Sequence, residues 1–423
     1  MKLIFWVLLA LFLLFLFLTI QAKRKKGEIK LKFLFPAVLF LVPCLLLASI
    51  YIIYNTQLKP QPSTSTVVLE NKDFRIGHAS KVQPATLGEY LSIVAPQIKR
   101  FNEQADEFWP NSSFKDSVVY FITNDKRQAW KVEYDGSFNK IDNVKSVPRF
   151  ESVLGYHMEF YYLKPEEHGE KGMVLVISLE DLLDQVKYEK YTHLGTYDPI
   201  ITYIHEGFHI FTQSSDHWKE ADISKAQRED AFDNLEARKL RTYSIKLLYK
   251  ALQDESNRDF YVRQALRLYQ TYKATFPEEY ERVQYFERIE GSASYYEIVS
   301  CLQVSYPETI NSTNYTDAVA LWTTNRQPQN SVGASHEAYE LGAVAGVLLD
   351  MYYDDANEWK EKLENDPAST PMGLLETLFT EEELKQVDVP EISQEYTDKL
   401  IESINKGRNV RSNLISFLYH VFF

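Results

Sequence analysis

Two histidines four residues apart bracket a glutamate in the stretch Ile204-His205-Glu206-Gly207-Phe208-His209. On a helix, positions i and i+4 lie on one face about one turn apart, so both imidazoles can reach one metal ion. A catalytic zinc takes three protein ligands and keeps a fourth position for water, whose pKa falls to about 7. Glu206 sits beside the first histidine, where a carboxylate can take a proton from that water and pass it to a leaving amine. H-E-x-x-H therefore predicts a hydrolytic zinc site, with His205 and His209 as ligands and Glu206 as general base. The plain alternative is a helix carrying two incidental histidines.

Two imidazoles and a water leave zinc one protein ligand short, and a carboxylate from a later helix is the usual third. Glu229, in Gln227-Arg228-Glu229-Asp230, is one candidate. Glu290, which opens Glu290-Gly291-Ser292-Ala293-Ser294-Tyr295-Tyr296-Glu297, is the other and the better placed. Gly291 and Ala293 are small enough to let this helix approach the zinc helix closely. Glu297 lies seven residues after Glu290 on the same helical face, so it can support the site from behind the ligands. Glu229 sits in a run of surface-like charge without small neighbours. Amide hydrolysis also needs a donor for the developing oxyanion. Ser335-His336-Glu337-Ala338-Tyr339-Glu340-Leu341-Gly342 heads an apolar helix and offers two donors, Tyr339 and His336. The residues alone leave these two even, and a satisfied core tyrosine or a surface histidine fits as well.

Several elements must position these groups. Asp198-Pro199 suits the start of the zinc helix, with Asp as N-cap and Pro at the first helical position. The helix should run to about Gln213, burying Ile200, Ile201, Ile204, Phe208 and Phe211. Gly207 in mid-helix costs about 1 kcal/mol relative to Ala. Either a neighbouring backbone or substrate approaches there, or the glycine is a tolerated weak spot. Upstream, helical spacing over 86–106 aligns Leu87, Tyr90, Leu91, Val94, Ile98 and Phe101. Ser117–Thr123, Met158–Leu163 and Met173–Ser178 read as strands of a small sheet. From Lys219 to Tyr272 the pattern is helical and highly charged, predicting two or three solvent-facing helices. Residues 357–400 are acidic and helical.

Taken together, H-E-x-x-H, then E-G-x-A-x-Y-x-E, then Y-E-x-G before an apolar helix resemble the gluzincin (peptidase MA-like) zinc metallopeptidases. The likeness runs over roughly Ser117 to Asp350 and is greatest to the aminopeptidase-N-like group. It implies one Zn2+ ion held by His205, His209 and Glu290, with Glu206 as general base. It also implies that Tyr339, rather than His336, stabilises the tetrahedral intermediate. The chain departs from that group in two respects. Eighty residues separate His209 from Glu290 where the family has about one helical hairpin, so a helical insertion is expected at about 219–280. The family's G-x-M-E-N segment, which holds a substrate's free amino end, has only Met158-Glu159 as an echo.

The 423 residues suffice for one large or two ordinary domains behind a membrane segment. Scarce Gly (15) with abundant Tyr (28) and Phe (25) suits a helix-rich fold with an aromatic core. Residues 1–54 hold seven Lys/Arg and one acid, leaving 39 basic against 58 acidic groups beyond them. So acidic a surface makes a poor partner for a phosphate backbone, and no nucleic acid is expected. Cys44 lies in an apolar run and Cys301 in the soluble part, so neither a disulfide nor cysteine zinc ligation is expected.

Leu3–Ile20 and Phe33–Tyr54 are apolar runs of 18 and 22 residues, each long enough to cross a bilayer. The loop at 23–32 carries six basic residues, which places it in the cytoplasm and the rest of the chain outside. The rival reading, a cleaved signal peptide, has a poor cleavage site in Thr19-Ile20-Gln21-Ala22. A polar tether follows at 55–66. Sequons stand at Asn111, Asn311 and Asn314, and the apolar end at 414–423 is too short to span a membrane.

The expected fold class is α+β, mainly α. A membrane hairpin (1–54) precedes a gluzincin-like catalytic domain (67–385) of small sheet, zinc helix and helical subdomain, and a C-terminal helical tail (386–423) ends the chain. The expected function is a membrane-anchored zinc metallopeptidase acting on peptide or protein substrates on the extracytoplasmic side of the cell membrane. The alternative is a catalytically inactive gluzincin-like binding module at the cell surface.

Overall fold

The computed structural model describes residues 86–406, except 113, 157–158, 183–197, 221–222, 225, 227–233, 306–318, 320–322, 324–327 and 329–331. The expected membrane runs, the tether and the chain end after 406 lie outside the described residues, as do Met158, Glu229, Asn311 and Asn314. Among the described residues no helix is long and apolar enough to cross a membrane. The elements below belong to the compact unit Glu70–Ile404.

The fold is mainly helical with a small mixed sheet. Helix α1 (Leu87–Phe108) begins at Thr86, whose side chain accepts the Glu89 N–H. Its apolar stripe, Leu87 to Phe101, is buried as its spacing predicts. Five strands follow: β1 (Val118–Thr123), β2 (Ala129–Val132), β3 (Phe138–Lys140), β4 (Phe160–Leu163) and β5 (Gly172–Ile177). Their order is β3-β2-β1-β5-β4, with β1 and β5 parallel and the other pairs antiparallel. β1 and β5 are buried along their whole length, which fits their near-continuous apolar sequence.

The sheet's two faces separate by the strand period of two. Val119, Phe121, Met173, Leu175 and Ile177 face the main helical core. Val118, Tyr120, Ile122, Val174 and Val176 face a smaller cluster closed by Val147, Val153 and Leu163, with Phe150 packed against it. The hairpin β2–β3 is an addition to the three expected strands. Its turn uses Gly136 at φ +79°, and Glu133 and Ser137 bond across it.

The helix that carries the H-E-x-x-H motif, α2 (Asp198–Phe208), continues as a π-helical turn over His209–Gln213. Ile200, Tyr203, Ile204, Phe208 and Phe211 are buried in the main core, and Ile201 is half-buried against it. A Cβ on Gly207 would stand 2.5 Å from Phe114 Cε1. The close approach at Gly207 is thus that of an aromatic ring, rather than of a backbone or a substrate, and the glycine is not a mere weak spot.

Helices α3 (Leu235–Gln253), α4 (Arg258–Thr275), α5 (Pro277–Ser305) and α6 (Ala334–Tyr352) form the helical layer, and α5 packs most extensively on α6. The expectation of solvent-facing helices after Lys219 is corrected here. α3 buries Arg238, Arg241, Ile245, Leu248 and Leu252, and α4 buries Val262, Leu266, Tyr269 and Tyr272. The charge that reads as surface is partly interior. Arg241 pairs with Glu287 of α5 at 2.6 Å and Glu337 of α6 at 2.8 Å, and Arg238 pairs with Glu337 at 2.8 Å. Short helices α7 (Asn357–Asn365), α8 (Pro371–Glu376) and α9 (Glu381–Lys385) follow, and residues 394–404 are helical. Leu400 and Ile404 cluster with Val332.

Candidate metal centre

α2 delivers His205, Glu206 and His209 to one side of its axis, where α5 and α6 bring Glu290, Glu297 and Tyr339. The Nε2 atoms of His205 and His209 are 3.3 Å apart. Glu290 Oε2 lies 3.4 Å from the first and 3.2 Å from the second. The three side chains are largely buried, at 12%, 19% and 13% exposure. In a tetrahedral zinc site with bonds of about 2.0–2.1 Å, neighbouring donor atoms stand about 3.3–3.4 Å apart. The observed triangle has the edges of such a tetrahedron, and its two imidazoles and one carboxylate are a donor set that zinc accepts. His205, His209 and Glu290 thus form a possible metal-binding triad.

The second ring nitrogens are also held. Nδ1 of His205 is 2.9 Å from Glu297 Oε2. An ionised carboxylate only accepts, so Nδ1 is the donor of this pair, and Nε2 faces the triad. Nδ1 of His209 is 2.6 Å from Gln213 Oε1. The amide orientation of Gln213 is set from its far side, because its NH2 group donates to the Ile289 carbonyl and to Ser292 Oγ, each at 2.9 Å. Gln213 therefore joins the π-helical turn after α2 to α5 one residue from Glu290. The sequence marks Gln213 only as the end of the helix and not as a residue of the site. The π-helical turn that carries it has no signature in the apolar pattern, and such turns recur at functional sites.

The electrostatics of the triad follow from the carboxylates around His205. Burial pulls the His205 imidazole down, but its bonds to Glu290 and Glu297 and the charges of Glu297 and Glu206 push it up to about 10. Glu290 is driven the other way. Burial alone raises it, yet the bonds from His205, His209 and Tyr339, with the charge of His209, hold it well below the usual carboxylate range. Both shifts describe a pocket of carboxylates that retains positive charge.

Tyr339 and His336 part company in the structure. The Tyr339 ring lies parallel to that of His205, with centroids 6.0 Å apart and planes 9° apart, and its hydroxyl bonds Glu290. His336 is exposed on the head of α6. On the other side, Tyr162 of strand β4 donates to Glu206 Oε2 at 2.9 Å. Nothing in Phe160-Tyr161-Tyr162-Leu163 separates this tyrosine from its neighbours until the strand is placed.

The small residues after Glu290 act differently from expectation. A Cβ on Gly291 would stand 2.7 Å from Gly342 Cα, so the close approach is between α5 and α6 rather than between α5 and α2. Glu159, the echo of an amino-end anchor, is engaged within its own loop. Its carboxylate accepts from the N–H groups of Leu154 and Gly155, both at 2.8 Å, and of Tyr156 at 3.1 Å, and from the Tyr161 hydroxyl. Burial acts to raise its pKa, but these bonds outweigh it and lower it.

Compared with known proteins, the chain matches no family model, no curated protein and no solved structure.

Proposed function

We propose that this chain is a membrane-anchored zinc metallopeptidase that hydrolyses peptide bonds on the extracytoplasmic side of the membrane. The observation that carries the reading is the triangle of His205 Nε2, His209 Nε2 and Glu290 Oε2, with edges of 3.2–3.4 Å, and the charge of Glu206 acting on His205. The motif resemblance to the gluzincins supports the same assignment. The two apolar runs at the N-terminus and the basic loop between them support the location.

His205, His209 and Glu290 would hold the ion, with Glu297 and Gln213 fixing the imidazoles behind them. Zinc bound there supplies Lewis acidity, which polarises the scissile carbonyl and acidifies water. Glu206 takes the proton from the attacking water and returns it to the amine nitrogen as the C–N bond breaks. The Tyr339 hydroxyl exchanges its bond to Glu290 for the oxyanion that develops on the carbonyl oxygen.

The test uses the full-length chain purified in detergent. Elemental analysis is expected to give one zinc per chain, and the wild type is expected to cleave peptides. Glu206→Gln should keep the zinc and lose activity by at least about 100-fold, the scale of a removed general base. Zinc uptake without cleavage would favour the inactive binding module, and absence of zinc uptake would refute the site itself.

A further inference from the structure

We propose that Tyr162 is the positioning residue of the general base: its phenol fixes one oxygen of Glu206 from the sheet and leaves the other for the attacking water. The inference rests on the metallopeptidase reading of the site.

β4 is an edge strand, the last in the order β3-β2-β1-β5-β4. Its side chains alternate between the two faces of the sheet. Tyr161 and Leu163 belong with the smaller cluster, while Phe160 and Tyr162 pack toward the helical core. Phe160 shows what packing alone asks of this face. Its ring meets that of Tyr162 with centroids 5.6 Å apart, and it carries no polar group. Tyr162 has the same apolar body and adds one hydroxyl, which lies 2.9 Å from Glu206 Oε2. Tyr162 is anchored through the ladder in which its strand position pairs with the buried Met173. Glu206, on the helix, gains from a rigid sheet a fixed point that its own rotatable side chain lacks.

The chemistry favours this division of labour. An ionised carboxylate offers two oxygens, and a phenol that stays protonated is a donor only to it. Burial, then the charge and hydrogen bond of Glu206 and the charge of Glu290, drive the Tyr162 phenol above its ordinary range, so it keeps its proton. With Oε2 occupied, Oε1 receives the proton from water as the water oxygen bonds the carbonyl carbon. The carbonyl electron pair moves onto its oxygen. The same Oε1 then delivers the proton to the amine as the C–N bond breaks. Tyr162 gains and loses nothing in this cycle, which makes it a positioning group. A general base held loosely forfeits rate steeply, since a displacement of about 1 Å can cost about 100-fold.

The test is a double-mutant cycle on the full-length, zinc-loaded protein. Acetohydroxamic acid is the probe, because it binds zinc as the anion and gives its proton to the base beside the metal. Zinc affinity is read by chelator competition and probe affinity by calorimetry in wild type, Tyr162→Phe, Glu206→Gln and the double variant. Tyr162→Phe is expected to hold zinc within about twofold of wild type. It should weaken the probe about tenfold, the scale of a lost hydrogen bond to a charged group. In the Glu206→Gln background the same change should have almost no effect, because the group it positions is gone. Unchanged probe affinity in Tyr162→Phe, or effects that add across the cycle, would overturn the role of Tyr162 while leaving the metal site standing. A wild type that takes up no zinc would instead overturn the metallopeptidase reading, and the role of Tyr162 with it.

Discussion

Gly291 of α5 and Gly342 of α6 meet backbone to backbone: a Cβ on Gly342 would stand 2.3 Å from the Gly291 Cα. Gly291 follows Glu290, and Gly342 lies one turn beyond Tyr339. The contact that lets the two helices cross is therefore also what sets the carboxylate against the phenol. Gly342→Ala is expected to force the helices apart. Overpacking of this kind costs about 1–3 kcal/mol. The melting temperature should fall, and zinc affinity should fall with it because Glu290 is carried away from the imidazoles. A variant that melts lower but binds zinc as wild type does would show that the crossing serves stability alone.

Gln213 and Glu297 make a second expectation. Each holds the outer nitrogen of one imidazole, at 2.6 and 2.9 Å. Partners of this kind are worth about 10- to 100-fold in metal affinity. Gln213→Leu and Glu297→Gln should each weaken zinc by that order in chelator competition. Gln213→Leu should also loosen the π-helical turn after α2 from α5, visible as faster amide exchange at Ile210–Ser214. Wild-type zinc affinity in both variants would remove the outer partners from the account.

The residues of the candidate centre are more legible in the sequence than their supports. His205, Glu206 and His209 share one helical segment, so their spacing alone places them together. Glu290 could be chosen because its segment is short of bulk on one side. The reason for that smallness, however, was Gly342 on a helix 51 residues further on, which no local pattern contains. The central strands β1 and β5 were readable as unbroken apolar runs. Strands β2 and β3 were not, being four and three residues long and bearing Lys131 and Lys140. Arg238 and Arg241 looked like solvent-facing charge, because a sequence shows a charge but not the carboxylate that meets it. Tyr162 and Gln213 gain their roles only when a strand edge and a π-helical turn are set in place.

A third expectation concerns pH. His205 is pushed up to about 10, chiefly by Glu290 and Glu297 acting against burial. An unfolded histidine titrates near about 6.5. A raised folded pKa means that the metal-free fold holds a proton which the unfolded chain gives up. Its stabilising effect is complete below about pH 6.5 and is lost as the pH rises through about 10. Zinc must displace this proton. At pH 8, binding should release about one proton, read from calorimetry in two buffers of different ionisation enthalpy. Apparent zinc affinity should rise about tenfold per pH unit between about 7 and 9. Proton release near zero would place the ion elsewhere.

The last expectation tests the wiring of α3 into the site. Arg241 is fully buried and touches Glu287 of α5 and Glu337 of α6. Tyr269 also donates to Glu287, at 2.6 Å, so that carboxylate is anchored from two helices. Glu287 lies one turn before Glu290, and Glu337 two residues before Tyr339. Arg241→Met keeps most of the volume but leaves the buried Glu287 without its guanidinium and Glu337 with that of Arg238 alone. Breaking one partner of a buried pair costs about 3–5 kcal/mol, because the charge left behind cannot reach water. Denaturant unfolding should show a loss of that size. Glu287→Gln added to Arg241→Met removes one of the stranded charges and should recover part of the loss. If the single variant unfolds like wild type, the carboxylates are satisfied by other groups and α3 is not what holds α5 and α6 in register.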